Sequence, residues 1–249
     1  MEVITIINHK GGVGKTTTAQ SLAAGLQKRG KEVLLIDLDA QTNLTFAVLK
    51  EIPEKSILNV LEGKTNINEC IYSIGNIDIV PASPSLVIAD NYLQGQNKEF
   101  KIKEKIKDLK KTYDYIIIDT PPAINLLTIN ALAMSNRAII TAQADIYSLQ
   151  GIKNLYENIK TVKEYCNNSL KIAGILLTRY SGRSILTRDM TTNMEKIANS
   201  IGTKVFNTKI RECIAIKETQ AVGVNIFDYA KNSNAAKDYN DFITELMED

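Results

Sequence analysis

Little in this chain points to a membrane protein, a secreted scaffold or a metal cluster. No apolar run in its 249 residues approaches the ~20 that a membrane-spanning helix needs. The N-terminus enters a β-branched run at once, without the order of segments that marks a signal peptide. Cysteine is scarce: Cys70, Cys166 and Cys213 are far apart, odd in number and without CxxC spacing. That excludes a disulfide frame or a cysteine metal site and suits buried thiols in a reducing compartment. The one histidine, His9, has no sequence partner for catalysis and reads as structural. There is no low-complexity tract, internal repeat or flexible linker. The net charge of +2 is too small to name a partner, so only its distribution along the chain is informative.

What is present starts with residues 9–17, His-Lys-Gly-Gly-Val-Gly-Lys-Thr-Thr, directly behind the apolar run 3–7. A β-branched run, then glycines, then helix-compatible residues read as strand, tight loop and helix start. Glycines let the backbone curl so that several N–H groups face one concavity, which suits a phosphate chain. The following helix adds unpaired N–H groups and the positive end of its dipole. Gly11, Gly12, Val13, Gly14, Lys15, Thr16 and Thr17 form this cradle, with Lys15 reaching the outer phosphates and the Thr16 hydroxyl available to magnesium. The strict P-loop pattern asks for glycine where His9 stands, and a second lysine, Lys10, occupies the loop.

Further along, strands are expected at 32–37, 77–80, 113–119, 137–142 and 170–177. Helices are expected at 17–29, 57–61, 98–111, 149–166, 185–200 and 234–247. The 98–111 helix should bury Phe100, Ile102, Ile106 and Leu109 beneath seven outward lysines. Signals from 46 to 75 are weak. Apolar strands alternating with helices predict one α/β domain over residues 1–249, doubly wound, with a mostly parallel central sheet flanked by helices.

In such sheets ligands sit beyond the carboxyl ends of the strands. The loop, Asp37, Asp39 and Asp119 all fall at expected carboxyl ends, so they can surround one nucleotide. Asp119 behind four apolar residues is the expected holder of magnesium, which keeps several waters and takes few protein oxygens. Either Asp37 or Asp39 can position the attacking water, a task that is mostly placement and charge stabilisation. Asp39, just past the strand, can face the γ-phosphate, which leaves Asp37 to orient the magnesium shell.

Residues 10–17, the Asp37-Leu38-Asp39-Ala40-Gln41 run and the Ile118-Asp119-Thr120-Pro121-Pro122 run resemble the three motifs of the ParA partition ATPases. These belong to the deviant Walker A group of P-loop NTPases, which also includes MinD. The resemblance extends over nearly the whole chain, through 126–132 and through Ile210-Arg211-Glu212 to 239. It departs at Ala40, where proline is usual, and at His9, where glutamine is frequent. It implies an ATPase using ATP and Mg2+, weak alone and stimulated by a ParB-like centromere-binding partner. It implies that Lys10 acts with Lys15 and Asp39 in catalysis by reaching across an ATP-dependent homodimer, much as an arginine finger does. It also places Arg211 with the nucleotide-binding residues. Non-specific DNA binding, with a cytoplasmic, nucleoid-associated location, follows from the same resemblance.

Residues 171–217 carry nine basic side chains against Asp189, Glu195 and Glu212. Arg183, Arg188 and Lys217 are the candidate DNA contacts there, acting through phosphates. The first apolar run begins at residue 3, so no N-terminal helix-turn-helix is expected. The rival reading, a MinD-like membrane-positioning ATPase, calls for a basic amphipathic C-terminal helix. The tail instead carries Asp238, Asp241, Glu245, Glu248 and Asp249, so no membrane partner is expected.

Overall fold

The computed structural model describes residues 1–182 and 184–248. Its centre is three strands whose residues are almost all apolar: β1 (Glu2–Ile7), β2 (Val33–Asp37) and β5 (Tyr115–Asp119). A strand of this kind is stable only with both faces covered, which is the situation of a parallel sheet packed between helix layers. β5 pairs in parallel with both β1 and β2. β4 (Ile77–Val80) extends the sheet beyond β2, and β6 (Arg137–Ala142) and β7 (Lys171–Leu177) extend it beyond β1. With β3 (Tyr72–Ile74) the order is β3-β4-β2-β5-β1-β6-β7, and among the described residues only the β3–β4 pair is antiparallel. The chain builds first to one side of β1 and then to the other, so the loop after β1 opens at the switch point of the sheet.

Alternate residues of the strands feed different cores. Ile4, Ile6, Leu35 and Ile117 pack with α1 (Lys15–Gln27) and α10 (Asn234–Met247) through Leu22, Leu26, Phe242 and Ile243. Val3, Leu34, Ile36, Ile116 and Ile118 face α3 (Ile57–Leu61), α4 (Lys101–Ile106) and α5 (Leu126–Met134). Ile7, Ile140, Ile175 and Leu177 meet α6 (Ile146–Tyr165) and α7 (Ile185–Ser200). The apolar face of the acidic C-terminal helix is therefore buried in the protein. No helix among the described residues is long and apolar enough to cross a membrane.

The expected bounds of the helices at 57–61, 185–200 and 234–247 match α3, α7 and α10. The helix expected over 98–111 is shorter, a 3-10 turn at Lys98–Phe100 followed by α4. Asn68 captures the backbone beyond it, donating to Asp108 O at 2.7 Å and accepting from Lys110 N–H at 2.9 Å. Phe100 and Leu109 are only half-buried as a result. The weak stretch 46–75 runs from the end of α2 (Asn43–Leu49) through α3 and a 3-10 turn at Ile67–Cys70 into the β3–β4 hairpin. That hairpin turns at Gly75-Asn76 with Gly75 at φ 60, a turn signal in plain sequence. Two short helices complete the chain, α8 (Ile214–Val222) and α9 (Ile226–Tyr229).

One close approach fixes the sheet's outer edge. A Cβ built on Gly174 of β7 would lie 2.7 Å from the Phe206 ring. That ring is fully buried and stands edge-on to Phe242 at 5.0 Å between centroids. Gly174→Ala must therefore displace an aromatic pair and should lower stability by about 1–3 kcal/mol. Urea unfolding measures this; an unchanged midpoint would show that Phe206 turns aside freely.

Candidate functional site

The loop after β1 is shaped by two left-handed glycines, Gly12 at φ 72 and Gly14 at φ 80, a region that side chains with a Cβ avoid. Gly14 is also the N-cap of α1 and contributes no capping side chain, so the helix's first N–H groups stay free for an anion. From the other side the loop is held by Thr178, just beyond β7, whose hydroxyl donates to Val13 O at 2.9 Å. Thr120 anchors the strand behind it, donating to Ile6 O at 2.8 Å.

Beside the loop lies a cavity of about 650 Å3 at the carboxyl ends of the strands. Gly11, Gly12, Gly14, Lys15, Thr16 and Thr17 line one end, with Asp39 and Pro122 beside them. Thr178, Arg179, residues 210–213 and one side of α8 close the other. Gln220 of α8 donates to the Thr17 hydroxyl at 3.0 Å and so ties that helix to the loop. The volume is in the range of small-molecule and cofactor sites.

Lys15 is buried, and its ammonium folds back to donate to Lys10 O at 3.2 Å. Burial lowers its pKa, opposed by the charges of Asp119 and Asp39. Thr16 Oγ1 donates to Asp119 Oδ2 at 2.6 Å, while Asp119 Oδ1 is buried without any hydrogen-bond partner. Burial first, and then the charge of Asp37, pushes Asp119 up to about 8. A hydroxyl bonded to a carboxylate with an orphaned oxygen fits magnesium, whose remaining ligands are waters and phosphate oxygens. No group of three or more His, Cys, Asp or Glu side chains among the described residues could hold a metal unaided.

The two aspartates after β2 differ. Asp39 lines the cavity, and its carboxylate is fixed by Gln41 N–H at 2.9 Å. Asp37 does not line it. Its Oδ1 accepts from Asp39 N–H at 3.0 Å, and its Oδ2 from Thr45 N–H and the Thr45 hydroxyl at 2.9 and 2.7 Å. Burial raises Asp37 to about 6 even against these donors. Both oxygens of Asp37 are engaged within the protein, and the carboxylate shapes the turn that presents Asp39.

Lys10 leaves the cavity altogether. Its Nζ lies 2.8 Å from Asp145 Oδ2 and 6.0 Å from the centre of the Tyr147 ring. Val13 contributes only its backbone, its side chain being fully buried. Arg211 does reach the wall, gripped from behind by Asp238. His9 is half-buried, and its pKa is lowered by burial and by Lys15. Of the candidate DNA contacts, Arg188 is exposed on α7, Lys217 is exposed on α8 at the edge of the cavity, and Arg183 lies outside the described residues.

Sequence reasoning missed Asp145, Thr178, Arg179, Gln220 and Tyr239. Asp145 had a readable signal, since it caps α6 by accepting from Ser148 N–H at 2.8 Å. Arg179, at φ 48 on the cavity wall, is one of four left-handed residues other than glycine among the described residues, which no sequence pattern announces.

Comparison with known proteins follows the same lines. A family model described as an AAA domain matches residues 1–172. The chain is 34% identical over 250 residues to the sporulation initiation inhibitor protein Soj of Bacillus subtilis, with 98% of each chain covered. It is also 34% identical to the chromosome partitioning protein ParA of Myxococcus xanthus, over 98% of this chain and 87% of that protein. Its fold is similar to the crystal structure of cobyrinic acid a,c-diamide synthase from Mycobacterium smegmatis with bound ATP analog and magnesium. There the TM-score is 0.85 at 28% identity, covering 100% of this chain and 95% of that one.

The buried carboxylate gives a signed pH effect. An unfolded aspartate titrates near ~3.9, whereas Asp119 in the folded protein titrates at about 8. Between those values the folded state keeps a proton that the unfolded chain has released, so this group's contribution to stability falls as pH rises. In metal-free, nucleotide-free buffer, the stability of Asp119→Asn relative to wild type should therefore increase from about pH 5 to about pH 8. Urea unfolding at both pH values checks this, and a pH-independent difference would contradict it.

Proposed function

The chain belongs to the Soj/ParA family of chromosome-partitioning ATPases, and on that premise we propose a function in DNA segregation as an ATP-switched homodimer. It binds ATP with Mg2+, dimerises in that state, binds DNA without sequence preference, and hydrolyses ATP slowly until a ParB-like centromere-binding protein stimulates it. The working location is the cytoplasm, on the nucleoid. Residues 1–249 act as one ATPase domain.

The single observation that carries this reading is the position of Lys10. A lysine in a phosphate-binding loop that turns away from its own cavity has no role toward its own ligand. Its contact with Asp145 is partly exposed, at 39% and 32% for the two side chains. Such pairs contribute about 0–1 kcal/mol, so Lys10 is released at small cost. Asp145 keeps its bond from Ser148 N–H after the lysine leaves. A cation supplied to the neighbour's phosphates makes the ATP-bound dimer tighter than the ADP form, because the γ-phosphate becomes part of the interface.

Within each site the division of labour follows the geometry. The loop N–H groups and Lys15 bind the phosphates, and Thr16 with Asp119 holds the metal. Magnesium held there would neutralise charge on the phosphate oxygens. Asp39, oriented by Gln41 N–H, positions the attacking water. DNA is contacted through the basic 171–217 stretch, with Arg183, Arg188 and Lys217 the candidate contacts, of which Arg188 and Lys217 are exposed. A dimer doubles the phosphate contacts, so nucleotide state sets DNA affinity without a separate switch.

Lys10→Ala should bind nucleotide yet stay monomeric with a slowly hydrolysed ATP analogue, whereas Lys15→Ala should lose nucleotide binding. Sedimentation velocity separates the two, and a dimer formed by Lys10→Ala would sink the trans-lysine assignment. DNA binding is tested by retardation of a non-specific duplex with ATP, with ADP and without nucleotide. Binding only with ATP, weakening steeply with salt, is expected. Equal binding in all three, or ATP-dependent recruitment to anionic liposomes instead, would overturn the partition reading.

A further inference from the structure

The cavity wall opposite the phosphate loop is made by two segments running side by side. Ile210 N–H donates to Leu177 O at 2.8 Å, and Tyr180 N–H donates to Ile210 O at 2.9 Å. Arg211 emerges from this pairing onto the wall, with its side chain about half exposed at 48%. An unrestrained arginine there would sample many rotamers and lose that freedom on binding a ligand. Arg211 is restrained at both ends by one residue. Asp238 of α10 accepts from its backbone N–H at 2.9 Å, from Nε at 3.0 and 3.1 Å, and from Nη2 at 2.5 Å.

Asp238 is itself almost buried, at 9% side-chain exposure, and does not line the cavity. Its neighbour Tyr239 does, and the Tyr239 hydroxyl meets that of Thr18, on the helix that begins at the phosphate loop, at 3.2 Å. Arg29, just past the end of the same helix, grips Asn240 and Thr244. The carboxylate is thus held on a helix that is fixed to the loop. The Nη1 edge of Arg211 makes no hydrogen bond among the described residues and is left to present its donors.

We infer that Asp238 is a positioning residue of the nucleotide site, holding Arg211 so that its free Nη1 edge meets acceptor atoms of the bound nucleotide. The inference rests on the reading of this cavity as the ATP site. It makes the C-terminal helix part of the binding machinery, beyond the segment that the AAA-domain model covers. A planar guanidinium fixed in advance by a bidentate carboxylate binds with less entropy lost than a free one.

The test is a double-mutant cycle on the affinity for a fluorescent ADP analogue, using the full chain with Mg2+. Asp238→Asn and Arg211→Ala should each weaken binding about tenfold, and the double variant should be no weaker than Arg211→Ala. Asp238→Glu, which keeps both carboxylate oxygens, should recover part of the loss. Fold losses that multiply in the double variant would mean that Asp238 acts only through packing of α10, and would overturn the inference. Should Asp238→Asn unfold, Arg211→Lys decides, since it keeps the charge beside Asp238 but lacks the second nitrogen. It should bind as weakly as Arg211→Ala, and wild-type affinity there would overturn the inference. A wild-type protein that binds no analogue would remove the nucleotide reading itself, whereas wild-type binding with multiplicative losses removes Asp238 alone.

Discussion

Everything at the working end of this protein depends on two carboxylates buried side by side. Asp37 and Asp119 end adjacent strands in register, and neither is exposed. Two negative charges in such a place are unfavourable unless each finds donors or a cation. The protein resolves the conflict unequally. Asp37 receives three hydrogen bonds and becomes part of the turn that presents Asp39. Asp119 receives one, from Thr16, and keeps an oxygen with no partner. That difference ties Asp37 into the turn and leaves Asp119 with an oxygen open to a cation.

The same unevenness runs through the lysines and arginines. Lys15 is buried and aligned with the cavity, while Lys10, five residues earlier, is held outside it by Asp145. A weak, half-exposed ion pair is suited to a group that must move. Arg211, in contrast, is secured on four counts by Asp238 and suits a group that must stay. A loosely held cation outside the cavity and a firmly held one on its wall are therefore set apart by the carboxylates that pair with them.

Much of this was readable in the sequence because it is local. The apolar runs that become β1, β2 and β5 and the glycines and lysines of the loop each declare themselves within a few residues. The parallel sheet then brings the ends of those strands to one edge. What stayed hidden was contributed from far along the chain. Asp145 meets Lys10 across 135 positions and Asp238 meets Arg211 across 27, with nothing in either local pattern to show the pairing. Local sequence does not tell whether the carboxylate ending β2 faces solvent, metal or Thr45. The over-long helix at 98–111 failed for a similar reason, since Asn68 takes the backbone that would have continued it.

The central claim is that an incomplete, buried carboxylate makes this site a receptor for nucleotide and magnesium together. The most direct measurement is the unfolding temperature of the wild-type protein at about pH 8, with Mg2+ alone, with ATP in chelator, and with both. A ligand at 100 times its Kd stabilises by about 2.7 kcal/mol, well within reach of the method. The account predicts that the two together raise the transition by clearly more than the sum of their separate effects. An equal rise from ATP with and without Mg2+ would contradict it.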